Sequence, residues 1–248
     1  MNVEDIDDVI AQLDAIIDRS LRDESRLGYF AALYRKMSVA VKRGIETDLF
    51  DDGDRMNRIG TVFANRYFAA LDQYQKGDDP SRAWLLAFQA AKQWKPTVAQ
   101  HLTLGMNAHI NLDLGIAVAR SVVPAALEAV HEDFNRINGI LEHLIDDVEH
   151  DLAQIWPLAG FLDWIGGRKD EFLINFSLSR ARDFAWKVAE RLAPMDRAEQ
   201  EGAISALDAD VERIGWLVLR PGLKLRAVLT INRFGERGTI SAIIEVLK

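Results

Sequence analysis

From Val98 to Ala119 the sequence is typical of a single helix that is apolar almost all the way round. Its large apolar residues follow one another at about 100° per residue and leave no side for solvent. They are Leu102, Met106, Ile110, Leu112, Leu114, Ile116 and Val118. A helix without a polar face has to be surrounded by other helices. The stretch therefore predicts a helix at the centre of a domain.

One charged residue interrupts this apolar helix. Asp113 is the only formal charge between Lys95 and Arg120. A buried carboxylate is costly unless it is paired, hydrogen-bonded, protonated or bound to a metal ion, so Asp113 needs a partner. The sequence therefore predicts a polar site in the interior of the protein.

The rest of the chain carries the pattern of amphipathic helices. Apolar residues recur at intervals of three and four from Val3 to Leu247, and no alternating run is long enough for a sheet strand. Proline and glycine separate these segments, but no repeat, low-complexity tract or long linker is present. The sequence predicts an all-α fold, a single-domain multi-helix bundle over residues 1–248 around the central helix. Two of the predicted helices span Glu171–Leu192 and Ala198–Leu219.

Composition limits the function classes. The formal net charge is −8 and no basic stripe is present, so we expect no nucleic-acid partner. The chain contains no cysteine, which excludes disulfides, thiolate ligands and cysteine nucleophiles. The acidic start of the chain, MNVEDIDDVI, predicts a cytoplasmic protein rather than an exported one. Histidine, asparagine and aspartate in the central helix argue against contact with lipid, so we expect no membrane partner.

His109 and Asp113 lie one helical turn apart and are expected on the same face of the central helix. The short connection at Val122–Pro124 predicts an antiparallel hairpin with the next helix, in which Asp133 would lie level with Asp113. Two ligands at this spacing occur in helical zinc and di-iron sites. The predicted metal ligands are therefore His109, Asp113 and Asp133, and the metal would be a divalent ion such as zinc or iron.

The predicted site has further members and one alternative explanation. His109 and Asp113 are the candidate catalytic residues, and Asn107, Asn138 and Arg66 are candidates for binding a substrate. The alternative is that His109 and Asp113 form a buried polar contact that fixes helix packing, and that Asn107 hydrogen-bonds across helices. Arg66 would then form a surface ion pair.

Five sequence blocks carry a resemblance to a known family: FANRYFAALDQY (Phe63–Tyr74), RAWLLAF (Arg82–Phe88), GMNAHINLDLGIA (Gly105–Ala117), HEDFNRIN (His131–Asn138) and NFSLSRARDFAW (Asn175–Trp186). They resemble successive blocks of the bacterial domain-of-unknown-function family 5995, from about Gly28 to Leu192. The resemblance implies an all-helical domain whose marked polar positions are Asn107, His109, Asp113, Asp133 and Asn138. It implies no reaction. A looser similarity, His-x-x-x-Asp on a buried helix, links the chain by analogy to the all-helical zinc phospholipase C and nuclease group.

Three classes of function remain open. The first is a metal-dependent, hydrolase-like enzyme that acts on a small substrate, with an open coordination position for water. The second is a metal-free pocket that binds or cyclises a small apolar molecule, with His109 and Asp113 as an acid–base dyad. The third is a helical interaction protein without a catalytic site, in which the polar residues only specify packing. The sequence leaves the oligomeric state open.

Overall fold

A computed structural model describes residues 2–155 and 178–248, apart from the side chains at 142, 143, 145–149 and 151–154. These two ranges contain helices and no strand, which confirms the predicted all-α fold. The helices are α1 (Ile6–Arg22), α2 (Leu27–Glu46), α3 (Gly53–Lys76), α4 (Arg82–Ala91), α5 (Val98–Met106), a π-helix (Asn107–Leu114), α6 (Gly115–Ser121), a 3₁₀ turn (Pro124–Ala126), α7 (Leu127–Ile155), α8 (Leu178–Leu192), α9 (Arg197–Leu219), α10 (Leu223–Gly235) and α11 (Ile240–Leu247).

Local sequence signals set many of these helix ends. The side chain of Asp52 accepts a hydrogen bond from the Arg55 amide and caps the start of α3. Gly77 ends α3 with φ 86°, a left-handed conformation that glycine adopts without strain. Thr97 and Gln100 form a reciprocal capping box at the start of α5. The fold therefore follows ordinary capping rules.

The segment from Val98 to Ser121 is a continuous helical element in the interior. Its residues up to Ala119 are buried, except for Ala99, Met106 and Ile110, which are half-buried. The sequence predicts an α-helix throughout, but the stretch Asn107–Leu114 is a π-helix. The π-helix is rare and occurs frequently at functional sites. The departure from α geometry thus falls on the segment that contains His109 and Asp113.

Several helices surround this central element. α2 and α4 pack against α5, α9 packs against the π-helix, and α3 and α8 pack against α6. Glycine permits two of the closest approaches. A side chain at Gly105 would overlap the ring of Phe30 on α2, and one at Gly115 would lie 2.5 Å from the carbonyl oxygen of Ala185 on α8. The central element is thus covered by α2, α3, α4, α8 and α9.

The predicted antiparallel hairpin between the central helix and α7 is wrong. The axes of Val98–Ser121 and Pro124–Leu141 are bent by 104° relative to each other. α7 consequently leaves the central element and makes its main contacts with α2 and α11. The short connection at Val122–Pro124 permitted a sharp turn but did not force the two helices to lie side by side.

Among the described residues, no single helix is long and apolar enough to cross a membrane. The bent pair just described passes the same test only when its two parts are taken together. The first part of the helix predicted over Glu171–Leu192 lies outside the described residues, and its remainder corresponds to α8.

Candidate functional site

The carboxylate of Asp113 is held by two donors from neighbouring helices. Its side chain is 1% exposed. Nε of Arg66, on α3, donates to Oδ1 at 2.6 Å, and Nε1 of Trp84, on α4, donates to Oδ2 at 2.7 Å. Burial disfavours the charged carboxylate, but Arg66, His109 and the indole of Trp84 together outweigh this effect, and the pKa of Asp113 lies below its ordinary value. Asp113 is therefore ionised at neutral pH, and its partner is a cation.

His109 lies behind this ion pair in an aromatic cage. Its ring stacks on Phe63 with the ring centroids 3.5 Å apart and the planes inclined by 8°. Four further rings surround it at centroid distances up to 6.1 Å; they belong to Phe30, Tyr34, Tyr67 and Trp84. Burial in this cage disfavours the imidazolium and lowers the pKa of His109, so the ring is neutral at pH 7.

The contact between His109 and Asp113 is not a hydrogen bond in this structure. Nδ1 of His109 lies 3.6 Å from Oδ2 of Asp113, beyond ordinary hydrogen-bond distance. Both ring nitrogens are buried, and neither has a hydrogen-bond partner within the described part of the chain. The ionised Asp113 and the neutral His109 are adjacent, but Arg66 and Trp84 are the groups that bind the carboxylate.

A pocket of about 430 Å³ opens onto the Arg66–Asp113 pair. Its polar lining comes from Asn2, Asn65, Arg66, Gln73, Ser81 and Asp113, and its apolar lining from Val62, Ala69, Ala70 and Trp84. The volume lies within the range of small-molecule sites, which are typically about 300–1,000 Å³. His109 does not line the pocket. Of the two candidate catalytic residues, the structure therefore brings only Asp113 to it.

Two polar groups of the pocket have free hydrogen-bonding capacity. The side chain of Arg66 remains 22% exposed, and within residues 2–155 and 178–248 only its Nε forms a hydrogen bond. The hydroxyl of Ser81 is buried, and no described group hydrogen-bonds to it. Ser81 does not cap α4, because Asp208 of α9 accepts the amides of Arg82 and Ala83 instead.

The predicted substrate-binding residues lie in different places. Arg66 lines the pocket, in place of the surface ion pair considered from the sequence. Asn107 donates to the carbonyl oxygen of Val211 at 2.9 Å, and Asn138 accepts from Arg182 at 2.6 Å. Neither asparagine lines the pocket, and each joins two helices. These hydrogen bonds agree with the packing alternative for Asn107.

Asp133 does not face Asp113. Its carboxylate is fully buried and accepts hydrogen bonds from the amides of Asp51 and Asp52 and from the side chains of Arg55 and Arg136. It thereby joins α7 to the connection before α3. No group of three histidine or acidic residues that could hold a metal ion exists among the described residues. The predicted set of three ligands, His109, Asp113 and Asp133, is therefore not assembled.

Sequence reasoning missed Trp84 and Ser81. Trp84 belongs to the apolar stripe of α4, so its indole N–H gave no separate signal. Ser81 follows a proline and reads as an ordinary helix cap. The partner of Asp113 could have been found, because a lone buried anion requires a cation and Arg66 lies between the aromatic residues Phe63 and Tyr67 of α3.

Comparison with known proteins supports the family resemblance. The model of the family of unknown function DUF5995 matches residues 6–221, which include every residue of the pocket except Asn2. No curated protein and no solved structure matches the chain. The match covers most of the sequence, and the chain belongs to the DUF5995 family.

Proposed function

We propose that this protein binds a small molecule in the Arg66 pocket, through one oxygen acceptor on an otherwise mainly apolar body. The observation that carries this proposal is a partly exposed guanidinium that Asp113 holds in place at the wall of a 430 Å³ pocket. A guanidinium fixed in this way keeps its terminal N–H groups for an acceptor at little cost in side-chain entropy.

The lining determines the chemistry of the ligand. Terminal N–H groups of Arg66 suit a carboxylate or carbonyl oxygen, and the hydroxyl of Ser81 offers a further donor or acceptor. Asp113 neutralises Arg66 and lines the same pocket, so a ligand with more than one negative charge would be repelled. Val62, Ala69 and the Trp84 ring provide apolar contact. A small monocarboxylate or carbonyl compound fits this set of groups.

The proposed function corresponds to the metal-free pocket considered from the sequence, but the roles of His109 and Asp113 differ from those expected there. Asp113 orients Arg66, and His109 supports Asp113 from inside the aromatic cage without reaching the pocket. The cyclisation or acid–base catalysis considered for this dyad, and a metal-dependent reaction, are not part of the proposal.

Calorimetric titration with benzoate and benzamide, followed by acetate and butyrate, tests the proposal. We expect at least one of these probes to bind the wild-type chain, and Arg66→Gln to weaken that binding by roughly a hundredfold, because a charge-assisted hydrogen bond is lost. Arg58→Gln is the matched control, since Arg58 is an exposed arginine on the same helix outside the pocket.

A second variant separates binding from stability. Arg66→Gln leaves Asp113 without its cation and can lower the free energy of unfolding. Ala69→Leu instead fills the pocket, because Ala69 lines it, and leaves the ion pair in place. We expect Ala69→Leu to abolish binding at unchanged stability. Equal binding by wild type, Arg66→Gln and Ala69→Leu, or no binding of any probe to the wild type, would contradict the proposal.

A further inference from the structure

The helix α10 presents its most apolar side chains to solvent. Leu223 is 85% exposed, Phe234 73% and Ile231 60%, whereas Leu229 is the only residue of α10 that is buried. With 3.6 residues per turn, Leu223, Ala227, Ile231 and Phe234 fall within an arc of roughly 80°. We call these four residues the α10 stripe. Its members lie on the side of the helix opposite Leu229.

Basic residues flank the α10 stripe. Arg226 and Lys224 lie on either side of it around the helix, and both are exposed. The segment Arg220–Arg237 contains five basic residues and one acidic residue, a net charge of +4. The whole chain has a formal net charge of −8, so the rest of the molecule carries −12. An apolar stripe and a net positive charge thus occur together in one short segment of an acidic protein.

The C-terminal end of α10 is anchored to the rest of the protein. Arg233 donates to the carbonyl oxygen of Trp94 at 2.6 Å, and Glu236 accepts the amide of Val98, the first residue of α5, at 2.8 Å. The exposed Trp94 ring contacts Phe234 at a centroid distance of 5.4 Å, which extends the stripe with a second aromatic side chain. These contacts hold the C-terminal end of α10 against the connection that precedes α5.

We propose that α10 docks this protein on the surface of an anionic membrane, with the α10 stripe inserted among the lipids. A helix with one apolar face, flanking lysine and arginine, and large aromatic residues is typical of helices that lie in the membrane interface. Anionic headgroups attract the basic residues, while the acidic remainder of the chain is held away from the same surface. Trp94 and Phe234 are residue types that are favoured in that interface.

Charge also argues against a second copy of the chain as the occupant of the stripe. A contact between two α10 stripes would bring together two segments that each carry a net charge of +4, which is unfavourable. The polar residues of the central helix argue only against a helix that crosses a membrane. They do not argue against a different helix, α10, that lies on the membrane surface. The docking proposal is independent of the ligand proposed for the Arg66 pocket.

Co-sedimentation of the full chain with vesicles tests the proposal. We expect binding to vesicles of phosphatidylcholine mixed with phosphatidylglycerol, little binding to phosphatidylcholine alone, and weaker binding as the salt concentration rises. Phe234→Ser should weaken binding by roughly tenfold, because a phenyl ring no longer inserts. Phe184→Ser is the matched control, since Phe184 on α8 is 42% exposed and outside α10.

The charge contribution has its own pair of variants. Lys224→Gln combined with Arg226→Gln should weaken binding to the anionic vesicles, whereas Lys187→Gln, at an exposed site on α8, should leave it unchanged. A wild-type chain that binds neither vesicle type overturns the proposal. So does a dimer in analytical ultracentrifugation that Phe234→Ser dissociates, because the stripe then binds a second copy. Equal loss in Phe234→Ser and Phe184→Ser also overturns it.

Discussion

Asp113 remains ionised in the interior because donors from two other helices bind it. Arg66 neutralises its charge, and Trp84 satisfies the second carboxylate oxygen. A buried ion pair contributes little net stability, since desolvation offsets much of the attraction, but loss of one partner is costly. The pair therefore specifies how α3, α4 and the π-helix are positioned at the pocket more than it stabilises them.

His109 predicts a measurable pH dependence of stability. Burial lowers its pKa in the folded protein, so below about pH 6.5 the unfolded chain binds a proton that the folded chain does not. The stabilisation is fully present above that pH and is lost as the pH falls. His101 acts in the same direction, because burial lowers its pKa to about 3. Each histidine contributes up to about 1.4 kcal/mol per pH unit in this range.

Denaturant unfolding of His109→Phe between about pH 6 and pH 4.5 checks this expectation. The slope of the free energy of unfolding against pH should fall by up to about 1.4 kcal/mol per unit, because one titrating group is removed. Ile214→Ala, which replaces a partly exposed apolar residue on α9 and removes no titrating group, should leave the slope unchanged. An unchanged slope in His109→Phe would mean that the folded chain also protonates His109, contrary to its burial among aromatic rings.

At the scale of the elements, close contact between α5 and α2 positions the aromatic cage. Gly105 faces Phe30, whose ring contacts both His109 and Trp84. Gly105→Ala would push Phe30 aside, and overpacking of this kind costs about 1–3 kcal/mol. Gly60→Ala is the control within α3, because nothing lies within 4 Å of the added methyl group. It should stabilise the chain by about 0.5–1 kcal/mol, the usual gain from replacing a helical glycine.

Thermal and chemical unfolding measures the free energy of unfolding of both variants, which should fall in Gly105→Ala and rise in Gly60→Ala. The near-ultraviolet circular dichroism of Gly105→Ala should also change, since the aromatic rings around His109 move. Stabilisation by both alanines would contradict the close packing of α5 on Phe30.

At the scale of the whole molecule, stability should depend on how deeply a residue is buried, and the helical element Val98–Ser121 is buried along most of its length. Ile116 is fully buried in that element, whereas Ile214 on α9 is 41% exposed. Ile116→Ala should cost about 2–5 kcal/mol, through lost burial and the cavity that remains. Ile214→Ala should change stability by no more than about 0.5 kcal/mol. Guanidinium unfolding at constant m value compares the two variants. An equal loss of stability in Ile116→Ala and Ile214→Ala would mean that Val98–Ser121 is not the core of the protein.

The sequence by itself determined the helical class and many helix ends. Spacings of three and four between apolar residues suffice for this, because amphipathicity is a local property of the chain. Thr239 illustrates the local signals, because threonine is a favoured capping residue and its side chain accepts a hydrogen bond from the Ala242 amide at the start of α11. The lone charge of Asp113 in an apolar stretch likewise revealed the interior polar site, because its desolvation cost is independent of the fold.

Only the tertiary structure decided which groups meet at that site. Asp113 and Asp133, two aspartates that were expected to lie level with each other, lie in different places because the chain turns by 104° after Ser121. Asp133 then binds the amides before α3, while Arg66 and Trp84 reach Asp113 from helices that precede it by 47 and 29 residues. Helix periodicity fixes the face of each residue on its own helix. It does not fix the angle between two helices, which depends on how all their side chains pack together.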